Sequence, residues 1–285
     1  MTKIEMAIER IKSAYEIAER FGKTLIVAYS GGKDSDVLLD LAIKSGLKFR
    51  AEHNHTTVDA PQTVYHIREV FARLEAWGIP TKINMPEISM WELIIKNGMP
   101  PTRLVRYCCR YLKERRFDNQ HIMTGIRWDE SQKRKKRGLH ETLTNNKNDI
   151  IIYFDENDDV QKLMNVCQLK NRIATNPIID WTDSEVLEYI AENRIKMNPL
   201  YEMGYKRVGC IGCPMAGAGV FREFRDFPQY KQMYIKAFDK MVAARRKKGL
   251  ETNELWKDGE GVFNWWIDPK YDVNQLTLKL EYMEN

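Results

Sequence analysis

The most constraining feature of this chain is Ser30-Gly31-Gly32-Lys33-Asp34-Ser35, which follows the apolar run Leu25–Tyr29 and precedes Val37, Leu38 and Leu39. A strand-length apolar run that ends in a Ser/Gly turn and re-emerges as a helix aims several backbone N–H groups at one anion. Gly31 and Gly32 permit the tight turn, Ser30 and Ser35 offer hydroxyls, and Lys33 brings a cation to the same oxygens. Asp34 is the odd member, because a carboxylate beside a phosphate needs a metal or a hydrogen bond; it either holds Mg2+ or orients the loop. The pattern is not GxxxxGK[ST], so transfer of a γ-phosphate is not the default chemistry. A plain Ser/Gly helix cap would use one of these six residues, whereas all six suit an anion.

Around this turn the chain alternates strands and helices. An amphipathic helix over 4–20, a strand over 24–29, a helix from Asp34 to Lys44, a strand from Phe49 to His55, a helix from Gln62 to Trp77 and a strand near Thr81 follow in order. That alternation predicts an α/β fold: an open, mostly parallel twisted sheet with helices on both faces, plus a helical C-terminal lobe. Ligands of such sheets sit beyond the carboxyl ends of the strands. The end of the second strand, running into Thr57-Val58-Asp59, is therefore a second place for ligand contacts. A further strand, His121 to Gly125, runs directly into Arg127. We read residues 1–215 as a nucleotide-binding domain with a charged excursion over 133–160, and 216–285 as a helical, aromatic-rich extension. One long amphipathic helix is expected over 225–247.

With 285 residues, 43% hydrophobic and 30% charged, the chain can bury a full core. No run of 18 apolar residues exists and the N-terminus is charged and amphipathic, so no membrane partner is expected and the expected location is cytoplasmic. The net charge of +5 permits an anionic ligand or nucleic acid without requiring either. Lys133, Arg134, Lys135, Lys136 and Arg137 read either as a patch for a nucleic-acid backbone or as a solvated turn balanced by the acidic run 155–159. Trp265 and Trp266 suit a C-terminal core or an oligomer interface better than stacking on bases.

Five cysteines, one adjacent pair, one single and one CxxC, do not form a disulfide framework. Cys210 and Cys213 could be a redox dithiol, half a zinc site or half an iron–sulfur site, and Cys108 with Cys109 could supply the other half. Adjacent side chains on a helix diverge by about 100°, which suits two irons of a cluster better than one zinc. Cys167, among Met164, Val166 and Leu169, reads as a buried thiol.

These residues together resemble the phosphoadenosine phosphosulfate reductase family, a branch of the adenine nucleotide alpha-hydrolase or PP-loop ATP pyrophosphatase fold. The resemblance rests on the SGGKDS loop, on Thr57-Val58-Asp59-Ala60-Pro61, and on the arginine stretch from Thr124 to Arg134. It also includes Asn176 to Thr182 and Asn198-Pro199-Leu200-Tyr201 through Gly209-Cys210. It implies that Ser30, Gly31, Gly32, Lys33, Asp34 and Ser35, with Asp59, bind the nucleotide. Lys33, Asp34, Arg127 and Arg134 would act on its phosphates. Cys108, Cys109, Cys210 and Cys213 resemble the ligands of a 4Fe-4S cluster that lies near the substrate in the adenylylsulfate-reducing and DNA phosphorothioation branches.

One departure stands out. The sulfonucleotide reductases attack sulfur with a cysteine in a C-terminal tail, whereas here no cysteine follows Cys213 and the sequence reads LTLKLEYMEN at its end. The expected activity is therefore ATP-pyrophosphatase-like: adenylylation of an acceptor, the DNA backbone among the candidates, for sulfur transfer. The cofactors would be ATP or a sulfonucleotide, Mg2+ and the cluster. The partners would be a cysteine desulfurase or other sulfur donor, DNA or another nucleic acid, and a second copy of the chain. The alternatives are an adenylylsulfate or phosphoadenylylsulfate reductase producing sulfite, and a non-catalytic iron–sulfur subunit that binds nucleotide or nucleic acid.

Overall fold

A computed structural model describes residues 1–114, 120–132, 134–143, 151–153, 172–250 and 254–268. Lys133, Cys167, the acidic run 155–159 and the chain end lie outside the described residues. The chain divides into two compact units. The first comprises 1–53, 61–84 and 116–208; the second comprises 54–60, 85–115 and 209–285. The boundary near 215 expected from sequence falls inside the last segment of the second unit.

The first unit is built on a seven-stranded sheet. Its strands are β1 (Leu25–Ala28), β2 (Arg50–Asn54), β3 (Thr81–Asn84), β4 (His121–Met123), β5 (His140–Leu143), β6 (Ile151–Tyr153) and β7 (Arg172–Thr175), in the order β3-β2-β1-β4-β7-β5-β6. β1 pairs in parallel with β2 and β4, and β4 with β7. β5 runs antiparallel to β7 and β6, so the charged excursion adds a reversed edge to a mostly parallel sheet. Leu25 and Val27 enter one core cluster while Ile26 joins Ile122 and Ala174 in another. Both faces of the central strands are thus covered, as parallel strands require.

Helices complete the layers. α1 (Lys3–Arg20) starts with a capping box between Thr2 and Glu5 and buries Ala7, Ile11, Ala14, Ile17 and Ala18 at helical spacing. α2 (Lys33–Lys44) follows β1 through the Ser/Gly turn, and α3 (Pro61–Ala76) lies between β2 and β3 in sequence. Later come α5 (Asp183–Glu192), whose Thr182/Glu185 capping box is as the sequence predicts, and the short α6 (Pro199–Glu202). The chain moves outward from β1 to β2 and β3, then returns to β4 on the other side of β1. This makes the carboxyl ends of β1 and β4 the switch point where such folds bind ligands.

The second unit is helical. It holds α4 (Met90–Asn97), a π-helical turn over Cys109–Glu114, α7 (Gly219–Asp226), α8 (Pro228–Lys247) and α9 (Gly259–Ile267). The helix expected over 225–247 is present as α8, beginning at Pro228 rather than at Arg225. Pro228 has no N–H to donate and its ring would clash with the carbonyl four residues back, so it starts a helix instead of continuing one. Trp265 and Trp266 are both buried, in agreement with a core role for the pair.

One buried group gives the sheet a pH dependence. His121 is fully enclosed, with Nε2 2.7 Å from Thr175 Oγ1 and with Nδ1 lacking a hydrogen-bond partner among the described residues. Burial above all, with repulsion from His140 and Lys23, lowers its pKa to about 3. The unfolded chain takes up this proton near pH 6.5, well before the native state can. The stabilisation is therefore complete above that pH and declines by up to about 1.4 kcal/mol per pH unit as the pH falls toward the native value. His121→Gln should flatten the acid limb of the urea-unfolding midpoint between about pH 6 and pH 4 relative to the wild-type chain.

Candidate functional site

The switch point is occupied by the SGGKDS turn. Ser35 Oγ sits inside it, accepting from the amides of Ser30 (3.3 Å) and Gly32 (3.1 Å) and donating to the Gly32 carbonyl (2.8 Å). The amides of Lys33, Asp34 and Ser35 fall in the first turn of α2, where the helix supplies no acceptor. The loop thus keeps its shape through a side chain of its own and leaves a helix N-terminus for an anion.

Arg127, just beyond β4, is brought to this turn as the sequence predicts, but as an internal tie. It is 1% exposed, and Nε donates to Asp34 Oδ1 at 2.7 Å. One terminal nitrogen donates to Asp183 Oδ1 at 2.9 Å and the other to the Trp181 carbonyl at 3.2 Å. Lys33 Nζ bonds the same Asp183 carboxylate and lies 3.6 Å from Asp34 Oδ1. The hydrogen bond from Lys33, with Arg127 behind it, holds the Asp183 carboxyl below the usual carboxylate range. Asp34 therefore orients the loop through Arg127. The close approach is built into the backbone: a Cβ on Gly125 would lie 2.9 Å from the Asp34 carbonyl carbon and oxygen.

Arg134 is partly exposed and pairs with Glu130. Burial, and to a lesser degree the neighbouring charges of Arg137, Arg127 and Arg207, lower its pKa against the pull of Asp34. Lys135 and Lys136 are exposed. Asp183, Asn198 and Tyr201 were not singled out from sequence as site residues. Asp183 looked like a helix-start residue, and only its acceptor position between two cations distinguishes it. Asn198 Nδ2 donates to the Gly31 carbonyl (3.0 Å) and Tyr201 OH accepts from the Lys33 amide (2.9 Å).

The four predicted thiols come together in the second unit. Cys108, Cys109, Cys210 and Cys213 line one pocket with Thr56, Leu112, Lys113 and Tyr234. The CxxC turn is held from several sides. The Ile211 amide donates to the Val58 carbonyl (2.8 Å), Gly212 N to Glu223 Oε2 (2.7 Å) and Tyr234 OH to the Ile211 carbonyl (2.9 Å). A Cβ on Gly212 would fall 2.8 Å from both the Phe224 and Tyr234 rings, so only glycine fits between the two cysteines. Asp59 belongs to this neighbourhood: its backbone bridges to Cys210, its carboxylate accepts from the Thr56 amide at 2.7 Å, and His55 lies 3.2 Å from it.

A hydrogen bond to Cys109, followed by burial, pushes the Cys108 thiol far up, and burial raises Cys210. The Cys210 sulfur in its thiolate form would in turn raise the Lys113 ammonium. Four thiols around one pocket, two of them (Cys108 and Cys210) resisting ionisation by themselves, with one lysine beside them, form a donor set for a soft metal centre, which favours the thiolate form.

A mostly parallel sheet with this loop at its switch point defines a PP-loop nucleotide-binding fold. Residues 24–216 match the phosphoadenosine phosphosulfate reductase domain, and the chain belongs to that family. An uncharacterized protein of Methanocaldococcus jannaschii is 25% identical over 282 residues, covering 96% of this chain and 59% of that protein. The chain thus spans little more than half the length of this relative. The adenosine 5'-phosphosulfate reductase of Oceanobacillus iheyensis is 24% identical over 200 residues, covering 70% of this chain and 74% of that enzyme. A phosphoadenylyl-sulfate reductase from Candida auris, solved as a phosphate complex, is 21% identical, with a TM-score of 0.45 over 69% of this chain and 87% of that one.

The Arg127 tie makes a testable statement about coupling. Asp34→Asn or Asp183→Asn alone leaves the buried guanidinium one hydrogen-bonded carboxylate, whereas the double variant leaves it only Asp129, 3.8 Å away. The double should lose about 0.5–3 kcal/mol more than the sum of the singles in urea unfolding.

Proposed function

We propose that this protein is a PP-loop ATP-pyrophosphatase-like enzyme that activates an acceptor by adenylylating one of its oxygens, so that sulfur can displace that oxygen. The observation that carries this reading is the Ser30–Ser35 turn, whose Asp34 and Ser35 amides lie in the first turn of α2 beside Lys33 at the switch point. In the first step an acceptor oxygen forms a bond to the α-phosphorus of ATP. The bond from that phosphorus to the bridging oxygen breaks, and pyrophosphate leaves with the electron pair. In the second, a sulfur nucleophile bonds to the activated centre and AMP leaves with its electron pair. The loop amides and Lys33 would stabilise the leaving pyrophosphate, while Arg134 would offset charge at the α-phosphorus. Mg2+ would reach the site through the nucleotide and through Asp34 Oδ2, since Oδ1 is taken by Arg127.

The thiol pocket supports a 4Fe-4S cluster held by Cys108, Cys109, Cys210 and Cys213: four soft donors face one cavity, and two of them are sequence neighbours. Such a cluster supplies a polarisable centre that can exchange electrons. The sulfur would come from a desulfurase or persulfide-carrying partner, and the exposed Lys135 and Lys136 would favour a polyanionic acceptor such as a DNA backbone.

The relative named as an adenosine 5'-phosphosulfate reductase supports a second reading, reduction of a sulfonucleotide to sulfite at the expense of a thiol. One experiment separates the two. Anaerobically purified protein should release pyrophosphate from ATP in the presence of acceptor, and Lys33→Ala should slow this by about two to three orders of magnitude. Sulfite formed from adenylylsulfate with a dithiol, without pyrophosphate release from ATP, would replace the first reading with the second. Iron and acid-labile sulfide should be found at about four each per chain. Cys210→Ser should lower both, and a chain that holds zinc instead would remove the cluster assignment.

A further inference from the structure

We infer that the Tyr201 hydroxyl is a member of the anion cradle, taking the amide hydrogen of Lys33 and passing its own hydrogen bond to a phosphate oxygen of the nucleotide. The inference rests on the nucleotide-binding reading above and names a residue that reading does not contain. Lys33 N is in the first turn of α2, where an amide has no helical acceptor and would ordinarily meet the ligand directly. Here the Tyr201 hydroxyl stands 2.9 Å away and accepts from it. A hydroxyl that accepts one bond keeps a proton to donate. Among the described residues nothing takes that proton.

The hydroxyl is also fixed in place. Tyr201 belongs to α6, whose cap Asn198 is fully buried and accepts from Leu200 N at 3.1 Å. Asn198 Nδ2 donates both to the Gly31 carbonyl at 3.0 Å and to Thr63 Oγ1 at 3.1 Å, which binds α6 to the loop itself. Pro199 restricts the backbone at the first helical position. A nucleotide phosphate arriving at Lys33 would therefore meet a held tyrosine. Burial, reinforced by the carboxylates of Asp34, Asp36 and Asp183, raises the hydroxyl well above the ordinary tyrosine range. The group stays protonated and remains a donor. Its contribution is to carry the polarity of an α2 amide outward by one hydroxyl, which selects for an anion rather than for the nucleoside.

Isothermal titration with inorganic pyrophosphate, ATP and adenosine tests this. Tyr201→Phe should weaken pyrophosphate and ATP about tenfold or more, the usual range for a hydrogen bond to a charged group. Adenosine affinity and the thermal midpoint should stay at wild-type values, which a merely structural role would not predict. Unchanged pyrophosphate affinity would overturn the inference by making the hydroxyl a packing feature, and tighter binding would overturn it by making the hydroxyl a plug. Should Tyr201→Phe lower the thermal midpoint, 3-fluorotyrosine placed at 201 keeps the shape with a more acidic hydroxyl. It should tighten pyrophosphate binding, and no change would count against the inference. A wild-type chain that binds neither pyrophosphate nor ATP would remove the nucleotide reading together with this one.

Discussion

The buried guanidinium of Arg127 is the interaction on which the nucleotide site depends. A cation removed from water is tolerable only where carboxylates and carbonyls surround it, and here Asp34, Asp183 and the Trp181 carbonyl do so. Those three partners sit at the start of α2, at the start of α5 and in the turn before α5. One side chain leaving β4 therefore fixes the ends of two helices against the switch point. Lys33 is drawn into the same network through Asp183, so the cation that would meet a phosphate is held in advance by a carboxylate it can exchange. The loop is held by hydrogen bonds within the chain.

The thiol unit obeys a different logic. Its cavity is shaped by aromatic packing: Phe224 lies against Tyr234 and Phe263, and Tyr234 against Trp266. Trp266 Nε1 donates to the Pro101 carbonyl at 2.6 Å, anchoring the strand of chain that leads to Cys108. The helices beyond residue 216 thus have a structural assignment: they supply the walls and hydrogen bonds that hold the CxxC turn.

Much of this was legible in the sequence because it is written in local chemistry. SGGKDS, the Thr182/Glu185 box and the apolar stripe of α1 each specify their own geometry within a few residues. The convergence of the four cysteines was also readable, since an adjacent pair and a CxxC have few other uses in one chain. What stayed hidden depended on distant contacts. Asp183 looked like any acidic residue in a first helical turn, and its position between Lys33 and Arg127 exists only after the sheet has closed. Tyr201 stood only as part of a stretch resembling the family, and its hydroxyl acquires meaning from an amide 168 residues away. The amphipathic stripe over 225–247 located α8, and Pro228 at its first position sets where it begins.

The interleaving of the second unit has a consequence for how the protein is made. Cys109 leaves the ribosome roughly a hundred residues before Cys210, about 5–20 s at ordinary rates of synthesis. For that interval the first two sulfurs lack the part of their pocket wall that Gly212, Pro214 and Tyr234 supply. A site that needs all four sulfurs can therefore be completed only after Cys213 has been made.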